Sequence, residues 1–174
     1  MVTTDKAHSS LIRPRTRVIK VGCDFGGVGT PYISAAKIAT RLGIHAESTF
    51  VCDNAPCCKK LADHCHKPKA FYKNIVTRDD TAMETVDLYT FTAPCTSYSP
   101  AGDSEGDACD AGQLIYKPLN YIKIWKPAAV LCENSSRLAT QFKHVLDTLV
   151  RELIASGYYV EWQVLDTWDF GIPQ

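Results

Sequence analysis

An apolar segment that runs directly into a glycine-rich turn constrains the fold more than any other part of this sequence. Residues 18–23 read Val-Ile-Lys-Val-Gly-Cys and predict a strand, and residues 24–29 read Asp-Phe-Gly-Gly-Val-Gly and predict a turn. Thr30 is a suitable N-cap for a helix with Pro31 at its first position, and Gly43 ends the helical periodicity. A strand, a glycine-rich turn and a helix in this order are typical of the start of a nucleotide-binding α/β fold.

The rest of the chain continues this alternation of strands and helices. Residues 128–132 are fully apolar, which is typical of a buried strand in a parallel sheet. The other predicted elements are strands at residues 48–52, 86–91 and 158–165, and helices at residues 113–125 and 142–154. The sequence therefore predicts an α/β fold with a mostly parallel sheet and helices on both faces.

Length and composition indicate one folded domain. The chain has 174 residues, of which 45% are hydrophobic, enough for a single core. Residues 1–16 are polar, with Arg13 and Arg15 on either side of Pro14, and predict a flexible basic tail. Residues 17–174 then form the predicted domain.

Charge, hydropathy and cysteine usage exclude several classes of protein. Nineteen basic and nineteen acidic side chains cancel, so the overall charge does not indicate a self-sufficient nucleic-acid binder. The sequence has no apolar run long enough for a bilayer and no apolar core of a secretion signal near its first residues. We therefore expect no membrane contact, an intracellular location (cytoplasmic, or nuclear in a eukaryote) and eight reduced cysteines.

Cysteine and histidine residues between positions 57 and 66 raise the question of a metal site. Cys57 and Cys58 are adjacent, and His64, Cys65 and His66 form a triplet. Neither pattern matches the spacing of tetrahedral zinc ligands, so no metal is expected.

Side chains that can carry chemistry follow three of the predicted strands. Asp53, Cys95 and Glu133 each lie at or just beyond a strand end, where open α/β sheets place their ligands. Pro94 restricts the backbone just before Cys95. Two simpler interpretations stay open. Cys95 could be a small buried apolar side chain, and Asp53 could only cap the helix that begins near Pro56.

Four short motifs occur in a fixed order along the chain. They are Phe-Gly-Gly-Val-Gly at residues 25–29, Ala-Pro-Cys-Thr-Ser-Tyr-Ser at 93–99, Glu-Asn-Ser at 133–135, and a segment at 165–174 that ends Asp-Phe-Gly-Ile-Pro-Gln. In this order they resemble the cofactor turn, the Pro-Cys nucleophile loop, the Glu-Asn-Val motif and the Pro-Gln motif of the cytosine carbon-5 DNA methyltransferases. The resemblance implies the Rossmann-like fold of S-adenosylmethionine-dependent methyltransferases.

The resemblance also implies a covalent mechanism. Carbon 5 of cytosine is a poor nucleophile until a thiolate adds at carbon 6, and that role falls to Cys95. Glu133 would hold a proton toward ring nitrogen 3. The target base would be flipped out of a duplex. Pro94, Ser99 and Asn134 are the implied substrate contacts.

The implied cofactor is S-adenosylmethionine. Its implied contacts are Phe25, Gly27 and Gly29 in the turn, Asp53 at the ribose, Asn74 at the adenine edge and Leu114 as an apolar contact.

The sequence departs from the family pattern at several places. Thr96 stands where the family usually has glutamine, Asn74 where it usually has an acid, and the segment before Leu114 lacks the usual arginine. In the family, Pro-Gln continues into Arg-x-Arg, a target-recognition domain and a last strand, none of which is among these residues. We therefore expect an incomplete C-terminal part and a second polypeptide that supplies the missing strand, arginines and DNA-reading surface, or else a fragment of a longer gene.

Two alternatives stay open. One is a non-catalytic remnant that binds cofactor or a partner. The other keeps the chemistry but acts on RNA, which we consider less favoured than DNA.

Overall fold

One five-stranded sheet organises residues 17–172, the part of the chain that the computed structural model describes. The strands are β1 (Val18–Asp24), β2 (His45–Cys52), β3 (Ala70–Tyr72), β4 (Leu88–Phe91) and β5 (Ala129–Cys132). They lie in the order β3-β2-β1-β4-β5, and each of the four pairings is parallel. The predicted tail at residues 1–16 and the final Pro-Gln lie outside the described residues.

Helices cover both faces of this sheet, as the sequence predicts. The α-helices are α1 (Thr30–Arg41), α2 (Pro56–Cys65), α3 (Asp110–Gln113), α4 (Pro118–Trp125) and α5 (Lys143–Ala155). Side chains of α1 pack over Val21, Cys23 and Val51 on one face. The larger core lies on the other face, where Phe50 and Tyr89 of the sheet meet residues of α4 and α5. Within the described residues, no helix is long and apolar enough to cross a membrane.

The strand order creates a crevice between β1 and β4. The chain moves outward from β1 to β2 and β3, then returns to place β4 on the other side of β1. Helices on either side of this reversal leave the sheet in opposite directions, so the loops after β1 and β4 diverge and leave room for a ligand.

The predicted helices differ from the observed ones in two places. The helix predicted for residues 113–125 is divided, because Pro118 has no N–H for a continuous helix and instead begins α4 at a first-turn position. Thr30 is not the N-cap of α1. Gly29 takes that position with φ 84°, and no side chain caps the helix.

Two expectations about the C-terminal half of the sheet were wrong. Residues 158–165 form no strand, although their composition favours one. β5 is not buried either, and Leu131 is 58% exposed. Both errors have the same cause: among the described residues, no strand pairs with the outer edge of β5. An apolar strand is buried only when neighbours cover both of its edges and faces.

Candidate active site at the ends of β1, β4 and β5

The glycine turn after β1 is held in a conformation that ordinary residues rarely adopt. Phe25, Gly27 and Gly29 have φ values of 55°, 51° and 84°. A Cβ on Gly27 would meet no heavy atom within 4 Å, so the backbone is open on that side. A Cβ on Gly29 would lie 2.0 Å from Nε2 of His66. Glycine is therefore required at position 29 by both conformation and space.

His66 explains why the turn is packed so closely. Its imidazole is buried and Nε2 lies 2.9 Å from the carbonyl oxygen of Val28. Because a carbonyl only accepts, Nε2 is the donor. The ring also packs edge-on against Tyr32, with 5.4 Å between centroids. The His-Cys-His triplet therefore contributes a side chain that holds the turn.

Asp53 links the turn to the start of α2. Its carboxylate accepts hydrogen bonds from the N–H groups of Gly27 and Ala55, both at 2.9 Å. The helix-capping role that the sequence left open for this carboxylate is not observed, because Ala55 is the N-cap of α2 and no side chain caps that helix. Each oxygen keeps a further lone pair, so a ribose contact is compatible with these two bonds and remains a prediction.

The other two predicted cofactor residues lie in separate loops. Asn74 is exposed in the loop after β3, and its Oδ1 accepts a hydrogen bond of 2.8 Å from the Val76 N–H. The end of β3 meets the end of β2 through a bond of 3.0 Å from the Asp53 N–H to the Tyr72 carbonyl. Leu114 is half-buried in a short 3₁₀ turn before α4.

Cys95 lies exposed in the loop after β4, beside the glycine turn. Thr92 connects the two segments, because its Oγ1 donates a hydrogen bond of 2.9 Å to the carbonyl of Phe25. The Cys95 carbonyl accepts a bond of 2.9 Å from the Tyr98 N–H and closes a turn. Tyr98 is fully buried and donates through its hydroxyl to the Gly112 carbonyl at 2.8 Å. The Pro-Cys loop is thus anchored on both sides of Cys95, and Cys95 itself is exposed.

Cys95 differs from Cys23 and Cys52 in its exposure to solvent. All eight cysteines are free thiols. Cys23 and Cys52 are almost completely buried, and burial raises the pKa of Cys23 to about 11 and that of Cys52 to about 12. Neither can supply a thiolate near neutral pH. The interpretation of Cys95 as a buried apolar side chain is contradicted by its exposure.

Glu133 and Asn134 follow β5 next to this loop. The Glu133 N–H donates to the Phe91 carbonyl at 3.2 Å, so the β4–β5 pairing continues as far as Glu133, whose side chain is exposed. The Asn134 amide donates to the carbonyl of Ala93 at 3.0 Å. Its Oδ1 accepts from the Ser135 N–H at 2.8 Å. These two bonds to main chain hold the Pro-Cys loop beside Glu133. The substrate contact that the sequence implies for Asn134 remains a prediction.

Ser99 and Pro94 occupy half-buried positions in the same loop. Oγ of Ser99 accepts a hydrogen bond of 3.2 Å from the Ala101 N–H, and its carbonyl accepts one of 2.9 Å from the Ser104 hydroxyl. Arg137 in turn donates to Ser104 at 2.9 Å. Arg137, which no motif indicated, therefore contributes a second link between the segment after β5 and the Pro-Cys loop.

Sequence reasoning also missed a buried ion network at the end of β1. The guanidinium of Arg78 forms a two-pronged pair with the carboxylate of Asp24, and its Nε donates to Asp80 at 2.7 Å. Burial opposes the charge on Arg78, but the hydrogen bonds and charge of Asp24 outweigh it, so the pKa of Arg78 is raised. The available signal was an ionisable residue, Asp24, at the end of a buried strand, which requires a partner.

Metal ligation has no support in residues 17–172. No group of three or more His, Cys, Asp or Glu side chains in this range is arranged to hold an ion.

Comparisons with known proteins place these features in a family. A family model described as C-5 cytosine-specific DNA methylase matches residues 33–174, a range that includes Cys95 and Glu133. The type II methyltransferase M.NlaIV of Neisseria lactamica is 34% identical over 109 residues, covering 55% of this chain and 26% of that protein. M.BanI of Aneurinibacillus aneurinilyticus is 26% identical over 153 residues, covering 86% of this chain and 35% of that protein.

The fold has a solved counterpart. The crystal structure of S. pombe Dnmt2 methyltransferase matches with a TM-score of 0.54 and 20% identity, covering 76% of this chain and 41% of that one. The chain spans about a third or less of the length of the two type II relatives. Because the family model covers most of the chain, the protein belongs to the C-5 cytosine-specific DNA methylase family.

Proposed function

We propose that this chain carries the cofactor-binding and catalytic part of an enzyme that transfers a methyl group from S-adenosylmethionine to carbon 5 of cytosine in DNA. The observation that carries the proposal is the direct bonding between three strand ends. Thr92 joins the Pro-Cys loop to the glycine turn, and Asn134 joins it to the segment of Glu133. A methyl donor, a nucleophile and an acid are the three parts that this reaction needs, and the family membership supports the assignment.

The residues present fit the proposed cofactor. The backbone is open at Gly27, and the carboxylate of Asp53 beside it has lone pairs for ribose hydroxyls. When bound, S-adenosylmethionine would supply an electrophilic methyl group on a sulfonium. Phe25, Gly27 and Gly29 would form the surface on which it lies, and Asn74 and Leu114 would contact its adenine end.

Cys95 has the exposure that a nucleophile needs. Its thiolate would add to carbon 6 of the flipped cytosine and form a C–S bond, and the ring electrons would shift so that carbon 5 becomes nucleophilic. Carbon 5 would take the methyl group as the bond between that methyl group and the sulfonium sulfur breaks and leaves a thioether. A base such as water would then take the carbon-5 proton, and the released electron pair would expel the Cys95 thiolate and restore the aromatic ring. Glu133 would hold a proton toward ring nitrogen 3, where negative charge develops during the addition.

Asn134 would act through the main chain. Its amide donates a hydrogen bond to the carbonyl of Ala93, which lies two residues before Cys95. This bond would fix the distance between the nucleophile and the segment of Glu133. A small displacement of a reacting group reduces the rate strongly, because the reaction depends on near-contact geometry.

We also propose that an extended segment, from a second polypeptide or from the continuation of this chain in a longer gene, adds a strand to the sheet. A groove of about 1490 Å³ lies beside β5, and residues of β5, α5 and the segment 158–165 line it. Its apolar lining includes Leu131, Leu146 and Val150. The outer edge of β5 can pair with an extended segment, as in other cases of strand addition. The same polypeptide would supply the recognition domain, which agrees with the zero net charge of this chain.

Methyl transfer tests the proposal. The chain, assembled with the segment that supplies the missing strand and recognition domain, would be incubated with S-adenosylmethionine labelled in the methyl group and with cytosine-containing DNA, and in parallel with RNA. We expect label in DNA from assemblies that contain wild-type protein or Cys57→Ser, which removes another exposed thiol, but none from the assembly that contains Cys95→Ser. Label in RNA alone would favour the RNA alternative. Undiminished transfer by Cys95→Ser would exclude Cys95 as the nucleophile.

A further inference from the structure

We propose that Arg78 is a positioning residue of the cofactor site, which holds the loop of Asn74 in place relative to the glycine turn. The inference rests on the proposed cofactor site and assigns a role to a side chain outside every motif of the sequence.

Arg78 is completely engaged by the end of β1 and by its own loop. Its side chain is 2% exposed and that of Asp24 is 0% exposed. One terminal nitrogen donates to Asp24 Oδ2 at 2.7 Å, the other to Asp24 Oδ1, and Nε donates to Asp80 Oδ1 at 2.7 Å. Both carboxylates accept further hydrogen bonds, since Tyr89 donates to Asp24 and Asn120 donates to Asp80 at 2.6 Å.

Both sides of this network belong to the cofactor site. Asp24 directly precedes Phe25, the first residue of the glycine turn. On the other side, the Arg78 N–H donates to the Asn74 carbonyl at 3.1 Å. The Asn74 side chain is held in turn by the Val76 N–H. Arg78, which lies 54 positions after Asp24 in the sequence, thus connects the turn to the residue proposed for the adenine edge.

The surroundings of Arg78 select arginine over lysine. Its guanidinium carbon lies 5.8 Å, 5.9 Å and 6.0 Å from the ring centroids of Phe50, Tyr72 and Tyr121. A planar guanidinium can donate hydrogen bonds to two carboxylates and stack against aromatic rings at the same time. An ammonium group does both less well.

Stability alone is a weak reason for such a network. The desolvation of buried charges often exceeds their attraction, and apolar replacements of equal volume are frequently as stable. A two-pronged ion pair also fixes the relative orientation of the two groups that it joins. Because Arg78 lies between two segments of the proposed cofactor site, we infer that its role is to hold these segments in place.

The test compares two ligands that differ at the adenine edge. Binding of S-adenosylhomocysteine and of S-inosylhomocysteine, which lacks the adenine amino group, would be measured by calorimetry for wild type and Arg78→Lys. The matched control is Val145→Ala, a cavity substitution in the buried face of α5. Circular dichroism would establish that each variant is folded at the temperature of the measurement.

We expect wild type and Val145→Ala to prefer S-adenosylhomocysteine to the same extent. For Arg78→Lys we expect about tenfold weaker binding of S-adenosylhomocysteine and loss of most of that preference, since a displaced Asn74 no longer distinguishes the two bases. If Arg78→Lys fails to fold, Asp80→Asn replaces it. This change removes the negative charge beside Nε and one of the two oxygens that accept from Arg78 and Asn120, and it leaves the pair with Asp24 intact. Several-fold weaker binding with reduced preference is expected.

Two results would overturn the inference and they are distinguishable. If wild type binds S-adenosylhomocysteine and Arg78→Lys, or Asp80→Asn in its place, retains both affinity and preference, Arg78 has no positioning role while the proposed cofactor site stands. If wild type binds neither ligand, the proposed cofactor site fails and the inference fails with it.

Discussion

Replacement of Gly29 by alanine perturbs the glycine turn where its packing against His66 is closest. The new Cβ would lie 2.0 Å from Nε2 of His66, at a φ of 84°. The positive φ costs about 1 kcal/mol for a residue with a Cβ. Displacement of the imidazole loses its hydrogen bond to Val28, about 1 kcal/mol, and crowds the surrounding side chains at a cost of about 1 kcal/mol or more. Gly29→Ala should therefore lower the free energy of unfolding by about 3 kcal/mol.

Two comparisons separate these contributions. Gly27→Ala is the matched control, because its φ of 51° is also positive but its Cβ would meet nothing within 4 Å. It should cost about 1 kcal/mol. In a His66→Ala background the clash is gone, so Gly29→Ala should then cost about 1 kcal/mol, a coupling of about 2 kcal/mol. Urea unfolding followed by circular dichroism measures all of these differences. Equal costs for Gly29→Ala with and without His66 would refute the argument.

Three further predictions concern the Pro-Cys loop, the buried thiols and the sheet edge. Asn134→Ala should reduce methyl transfer about tenfold, because the Ala93 carbonyl loses its hydrogen-bond donor. The free energy of unfolding should change by about 1 kcal/mol or less. Unchanged transfer would show that this hydrogen bond does not position the loop. Iodoacetamide at pH 8 should modify Cys95 and leave Cys23 and Cys52 unmodified in the native protein, since burial raises the pKa of Cys23 to about 11 and that of Cys52 to about 12. Peptide mass spectrometry identifies the modified cysteines. Modification of Cys23 or Cys52 as fast as that of Cys95 would contradict the assigned burial. Leu131→Lys should change the unfolding free energy by less than about 0.5 kcal/mol. It should weaken binding of the second polypeptide in sedimentation, because it places a charge at the open edge of β5. Unchanged binding would argue against this edge as the docking surface.

Local sequence signals were sufficient for β1, β2 and β4, but not for the short strand β3. β1 and its turn were predictable because apolar residues end abruptly at a glycine-rich segment, and the observed strand extends only to Asp24. The same signals placed Asp53, Cys95 and Glu133 at strand ends, which is where the structure has them. Strand ends are readable from sequence because the change from apolar to polar residues is local.

Long-range pairing accounts for most of what the sequence did not reveal. Arg78 and Asp24 are separated by 54 positions, and no local pattern relates an arginine in a loop to a carboxylate in a strand. The exposure of Leu131 was missed for a related reason, since burial of a strand depends on neighbours elsewhere in the chain. Asn134 was recognised by motif, but its contact with Ala93 depends on how two loops meet.

Covalent trapping on DNA that contains 5-fluorocytosine tests the central claim most directly. Fluorine at carbon 5 cannot leave as a proton does, so the bond between Cys95 and carbon 6 should persist after methyl transfer. Wild-type protein, assembled with the segment that supplies the missing strand and recognition domain and given S-adenosylmethionine, should form an adduct stable to denaturation. Digestion with mass spectrometry should locate the modified base on the peptide of Cys95. Cys95→Ala should give no adduct, whereas Cys57→Ser should react like wild type. An adduct on any other cysteine, or one that survives in Cys95→Ala, would contradict the account.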